Sequence, residues 1–145
     1  MKKNIFISCD HGGFYLKEQI IQYLLKKSFK IIDLGTKTPS SVDYPDYSEV
    51  LVNEIKNNLN YLGILLCGTG IGMSIAANKF AGIRAANVSN KDTAIQSVEH
   101  NNVNVLTLGS NNVENEHAMD IITAFLSATF SKEERYSRRI NKLAN

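Results

Sequence analysis

The 145-residue chain carries 16 Lys and Arg against 14 Asp and Glu, a net charge of +2 that by itself is too small to mark a nucleic-acid or membrane partner. A composition of 43% apolar and 21% charged residues with two prolines is that of a folded globular chain, which argues against a linker or a disordered tail. At this length one domain, residues 1–145, is expected, because a second core would have too little apolar surface to bury.

The opening segment MKKNIFISCDHGG begins with Lys2 and Lys3 as a secretory leader does, but Ser8 and Asp10 break its apolar run, so it reads as a first strand. No run approaches the ~20 apolar residues of a transmembrane helix, and the chain reads as cytoplasmic. In that compartment Cys9 and Cys67 are expected as free thiols, two cysteines are too few for a tetrahedral zinc cage, and the sequon Asn87-Val88-Ser89 carries no meaning. Next, Leu16, Ile20, Ile21, Leu24 and Leu25 recur at helical spacing, with Lys17, Glu18, Lys26 and Lys27 assigned to the outer face.

Further short runs, apolar on both faces, fall at 31–34, 62–66, 85–88 and 103–108, alternating with helical segments. Between the second and third runs lies the one long connection, residues 35–47, which holds both prolines and is the length of loop that tends to carry function. After the last strand come NVENEHAMDIITAFLSATF, a helix, and the basic tail SKEERYSRRINKLAN, read as another. Apolar strands joined through helices imply a parallel sheet covered on both faces by right-handed crossovers: a three-layer α/β/α, Rossmann-like domain with five parallel strands.

In such sheets ligands bind beyond the carboxyl ends of the strands, and the residues that follow each strand here are rich in Gly and polar types. The strongest local signal is Gly68-Thr69-Gly70-Ile71-Gly72. It lacks the third glycine of a dinucleotide fingerprint and the Lys of a P-loop, yet a glycine turn that opens a helix aims backbone N–H groups at one point and suits an anion. A tight turn alone would also explain these glycines. Cys67 stands just before them, where N–H donors favour the thiolate and could also stabilise an oxyanion; the plainer alternative is a small buried apolar residue. Asp10 and His11, ahead of Gly12-Gly13, point to a ligand at the end of the first strand. His100-Asn101 reads as a helix end near the negative pole of its dipole, His117 as solvated, and Arg135 and Arg139 as a same-face pair suited to a phosphate. If neighbouring strands bring Cys9 and Cys67 to one crevice, oxidation of the pair is expected to inactivate the protein reversibly.

Together SCDHGG, VDYP, CGTGIGMSIAANKFAGIRA and EHNNVNVLTLGS resemble the type B ribose-5-phosphate isomerase family, which also contains galactose- and allose-phosphate isomerases. The resemblance runs from Asn4 to about Arg139. It implies a sheet of order 2-1-3-5-4, a homodimer with active sites at the subunit interface and possible pairing of dimers, and interconversion of ribose 5-phosphate and ribulose 5-phosphate without a metal or other cofactor. It also implies roles: Cys67 as the base that moves a proton between C2 and C1, Thr69 as an aid to proton movement between the oxygens, and His100 as the group that opens the furanose ring. Gly68, Gly70, Ile71 and Gly72 would hold the enediolate oxygen through backbone N–H groups; Asp10, Tyr44 and Asn101 would bind the sugar; His11, Arg135 and Arg139 would bind phosphate. Asn78 reads as structural. A second branch of the family uses glutamate where this chain has Met73, whose thioether cannot accept a proton at neutral pH. Departures are Asn111, where relatives often carry arginine, and the tail KEERYSRR. The other activities considered are galactose- or allose-6-phosphate isomerisation and a non-catalytic sugar-phosphate or nucleotide binding module.

Overall fold

The computed structural model describes residues 2–143. Five strands, β1 (Asn4–Cys9), β2 (Ile31–Asp33), β3 (Tyr61–Cys67), β4 (Ala85–Asn87) and β5 (Val105–Gly109), form one sheet of order β2-β1-β3-β5-β4, and every neighbouring pair is parallel. The expected strand order is the observed one. A 3-10 turn, His11–Gly13, leads from β1 into α1 (Phe14–Lys26); the other helices are α2 (Tyr44–Asn57), α3 (Ile71–Ala77), α4 (Lys91–Asn101), α5 (Asn115–Ser127) and α6 (Glu134–Asn141).

Strand alternation divides the core in two. Ile5, Ile7, Cys9, Ile64 and Leu66 pack with Leu16, Ile20 and Leu24 of α1 and with side chains of α4 and α5, whereas Phe6, Leu65 and Cys67 pack on the other face with Leu51, Val52 and Ile55 of α2 and Met73 and Ala77 of α3. Cys9 pairs in register with Leu66, so Cys67, one residue further, points away from it. The two thiols therefore occupy opposite faces, and the expectation that both approach one crevice is overturned.

Two further expectations change. Residues 35–47 are not one loop, because Asp43 and the proline in the first turn of α2 start that helix at Tyr44, where a missing N–H costs nothing. Lys17 does not lie on the outer face; its side chain is 0% exposed, with Nζ donating to Asp33 Oδ2 at 2.8 Å, Asp33 Oδ1 at 3.1 Å and the Thr36 carbonyl at 2.9 Å. Leu25, by contrast, is left 51% exposed at the end of the stripe. Burial alone would lower the Lys17 ammonium, but the hydrogen bond and charge of Asp33 outweigh it and the group ends above its ordinary value. Burial likewise opposes the Asp33 carboxylate, yet the bonds from Lys17 and the Gly35 N–H hold it below the ordinary range. Beside this pair Cys9, fully buried, is pushed up to about 12 chiefly by desolvation and is an inert thiol.

Helix direction decides where the remaining candidates lie. The Asn90 side chain caps α4 by accepting from the Thr93 N–H at 2.9 Å, and Asn102, at φ 48, ends it. That helix starts from the carboxyl end of β4 and returns to the amino end of β5, so His100 and Asn101 finish at the amino end of the sheet. Asn78 brackets Ala85, its amide donating to the carbonyl at 2.9 Å and its oxygen accepting from the N–H at 2.8 Å, which extends the ladder at the start of β4 and bears out its structural reading. Among the described residues no helix is long and apolar enough to cross a membrane.

Candidate active site

The carboxyl end of β3 runs into residues 68–72, and the end of β5 fixes that turn. Ser110 N–H donates to the Cys67 carbonyl and Asn111 N–H to the Gly68 carbonyl, both at 2.9 Å. Gly109 lets the chains approach so closely that a Cβ on it would lie 2.5 Å from the Thr69 backbone. Gly70 takes φ 78, the left-handed region that glycine enters without a steric penalty, and a Cβ there would lie 2.2 Å from Asn87 Oδ1. The turn thus reads as a built cradle.

Within it the Gly70 N–H donates to Cys67 Sγ at 3.1 Å. The sulfur is thereby tied to the backbone of the glycine turn. Cys67 itself is only 5% exposed and lies on the α2/α3 face of the sheet. Thr69 Oγ1 accepts from the Ile71 N–H at 3.2 Å, so two of the amides expected to face a substrate oxygen, Gly70 and Ile71, already have partners within the protein.

Around the turn the same rim carries Asp10, His11 and Tyr44. The Asp10 carboxylate is nearly buried, and its Oδ1 accepts from Gly12 and Gly13 at 2.9 and 3.2 Å, leaving the other oxygen uncommitted by these bonds. Gly12 in turn sits against Gly68, where an added Cβ would be 3.1 Å from its nitrogen. His11 Nδ1 lies 3.1 Å from the Val42 nitrogen and 3.2 Å from the Val42 carbonyl oxygen, so Val42 holds the ring by that edge and leaves Nε2 free of these contacts. Tyr44, in the first turn of α2, lays its ring on Gly72; a side chain there would meet the ring carbons at 2.8 Å. Asn111 covers Gly68, its Nδ2 3.1 Å from where a Cβ would stand.

The other four candidates assemble elsewhere. His100 stacks on Tyr136 of α6, ring centroids 4.5 Å apart at 15°, and the Arg135 guanidinium lies 4.6 Å from the far ring's centroid. Arg135 also donates to Glu133 at 3.0 Å, and both Arg135 and Arg139 are exposed on α6. Asn101 lines a cavity of about 390 Å³ with Arg84 and Val103, beside the starts of β4 and β5. The register Cys67↔Gly109 and Gly63↔Val105 puts four residues of strand, about 13 Å, between the thiol and that end of the sheet. Within one chain the candidates therefore fall into two groups: Cys67, Thr69, Gly68, Gly70, Ile71, Gly72, Asp10, His11 and Tyr44 at one end of the sheet, and His100, Asn101, Arg135 and Arg139 at the other.

Sequence reading missed Asn87 and Thr107. Their partners are brought together only by the β4–β5 pairing, in which Asn87 and Thr107 are register neighbours. No local motif marks either residue for this contact, the sequon at Asn87 being unrelated to it.

The family model described as Ribose/Galactose Isomerase matches residues 5–143. The ribose-5-phosphate isomerase B of Escherichia coli is 41% identical over 140-odd residues, covering 97% of this chain and 94% of that protein. Among solved structures, a ribose 5-phosphate isomerase of Thermotoga maritima superposes with a TM-score of 0.94 at 46% identity, covering 97% of this chain and 96% of the other. A Mycoplasma genitalium ribose-5-phosphate isomerase B with bound ribulose-5-phosphate superposes with a TM-score of 0.91 at 42% identity, covering 96% and 92%.

Proposed function

From its membership of the ribose/galactose isomerase family, to which the chain belongs, we propose that it interconverts D-ribose 5-phosphate and D-ribulose 5-phosphate as an aldose–ketose isomerase. The observation that carries this reading is the Gly70 N–H on Cys67 Sγ at 3.1 Å, in a glycine turn at the carboxyl rim. Buried Cys9 also receives a backbone hydrogen bond, from Thr36, so what sets Cys67 apart is its place at the carboxyl rim, at the mouth of the glycine turn.

His100 opens the furanose ring, because the C2 proton is acidic only beside a free C1 aldehyde. The Cys67 thiolate then takes that proton: the C2–H bond breaks, its electron pair forms the C1=C2 bond, and negative charge moves onto O1. The amides of Gly68 and Gly72, together with Asn101, meet this cis-enediolate, since those of Gly70 and Ile71 are engaged within the turn. Thr69 assists transfer of a proton from O2 to O1, and the Cys67 thiol returns its own proton to C1, leaving the ketone at C2. Asp10 and Tyr44 hold sugar hydroxyls. His11 and the forked donors of Arg135 and Arg139 hold phosphate.

Such a site needs both ends of the sheet, so it is completed between two chains, His100, Asn101, Arg135 and Arg139 coming from the partner. Ile71 and Ile75, one turn apart on α3 and 55% and 54% exposed, with Val50 of α2 at 46%, supply an apolar surface beside the rim that a second copy would cover. Incubating the purified protein with ribose 5-phosphate in deuterated water tests the chemistry. Ribulose 5-phosphate is the expected product, with deuterium at C1 to the extent that the thiol exchanges its proton with solvent before returning it; a marked kcat/KM preference for a six-carbon phosphate, or no ribulose 5-phosphate formed, would overturn the assignment.

A further inference from the structure

The peptide that joins Thr69 to Gly70 is held at both ends. Its N–H donates to Cys67 Sγ at 3.1 Å, and its carbonyl accepts from Asn87 Nδ2 at 3.2 Å. A trans peptide is planar with N–H and C=O pointing in opposite directions, so whatever grips the oxygen also aims the N–H, and a donor on the oxygen polarises the N–H further. Asn87 is itself oriented: its Oδ1 lies 3.1 Å from the hydroxyl of buried Thr107, and that hydroxyl also lies 3.0 Å from the Gly70 carbonyl. Gly70 leaves room for this approach, since any side chain on it would strike Asn87.

We propose that Asn87, oriented by Thr107, is a positioning residue that fixes and polarises the Thr69–Gly70 peptide and so sets the reactivity of the Cys67 sulfur. The role in turnover rests on the isomerase reading given above; the effect on the sulfur does not. The titratable side chains that face this turn are Asp10 through Gly12, His11 through the 3-10 turn, and Tyr44 over Gly72, and none of them touches Asn87 in the described hydrogen bonds.

The test compares Asn87→Ala, Asn87→Asp and Thr107→Val with the unaltered protein by the rate at which iodoacetamide alkylates Cys67, followed across pH with no substrate present. Asn87→Asp keeps the size of the side chain and its acceptor but replaces the donor with a negative charge that itself disfavours a thiolate, so the uncharged Asn87→Leu is run beside it to isolate loss of the donor. At about pH 7 the Asn87 variants should react roughly three- to tenfold more slowly, with the deficit closing by about pH 10, and Thr107→Val should show the same pattern more weakly. Circular dichroism and Tm should stay near those of the unaltered protein. The proposal would be overturned by a deficit that is constant across pH, which reports only altered access, or by an unchanged profile, or by Asn87 variants that match the unaltered protein. Should Asn87→Ala fail to fold, the other variants decide. With ribose 5-phosphate the variants should lose kcat more than they raise KM. If the unaltered protein turns over no sugar phosphate, the isomerase reading falls while the alkylation profile still judges Asn87.

Discussion

Cys9 and Cys67 end neighbouring strands and project from opposite faces of the sheet, because Cys9 lies in register with Leu66. A disulfide between them would have to pass through the sheet. Peroxide treatment of the purified protein is therefore expected to inactivate Cys9→Ser and the unaltered protein at the same rate, with no intramolecular bond seen by mass spectrometry of non-reduced peptides. Protection in the variant would contradict the geometry.

Cys67 is the group whose loss should be most severe. Cys67→Ala is expected to lower kcat by about three orders of magnitude or more while ribose 5-phosphate still binds, as measured by calorimetry. Turnover unchanged by that substitution would remove the thiol from the mechanism.

The separation of Cys67 from His100 within one chain gives a sharper test. Cys67→Ala and His100→Ala should each be inactive alone. After the two are unfolded together and refolded as a mixture, activity should return to about one quarter of normal, since half the dimers are mixed and each has one intact site. Both residues acting from the same chain would give no recovery.

The buried Lys17–Asp33 pair predicts how stability depends on pH. The Asp33 carboxylate is held below its ordinary value, so its contribution is present above about pH 4 and is lost as pH falls through the folded value. Lys17 is held above its ordinary value, so its contribution is complete below about pH 10 and disappears as pH rises through the folded value. Lys17→Met should cost about 3 kcal/mol in urea denaturation near neutral pH, because it leaves the Asp33 charge without its buried partner, and should flatten the acid limb. Identical acid limbs would show that the pair is not what titrates.

Gly70→Ala should lower stability by about 1–3 kcal/mol and impair turnover, because a Cβ would meet Asn87 Oδ1 and the backbone stands at φ 78. Thermal denaturation with parallel kinetics measures both effects. Gly82→Ala is the useful comparison: it stands at φ 81 but has open space around its Cβ, so it should cost stability alone.

Much of the fold is legible in the order of residues because the strands are short apolar runs and the helices keep a 3.6-residue stripe. The rim is legible for a related reason: polar and glycine residues gather where parallel strands end. Parity is harder to read. Whether Cys9 and Cys67 share a face depends on a one-residue offset between β1 and β3 that no local pattern records. A charge at helical spacing ordinarily faces water, and the partners that offset the burial of Lys17 are chiefly the distant Asp33 and Thr36, with Glu18 beside it. Asn87 and Thr107 are ordinary residues until β4 and β5 pair. The place of His100, by contrast, follows from a rule already in hand: a helix that leaves the carboxyl end of one strand must return to the amino end of the next.

That return path has a consequence for how the protein works at low abundance. If Cys67 is the acid–base group at one end and His100 the ring-opening group at the other, as proposed, a solitary chain holds two unfinished halves. On the proposed reading, specific activity should therefore fall on dilution below the concentration at which chains pair, and substrate, by bridging the halves, should oppose that fall.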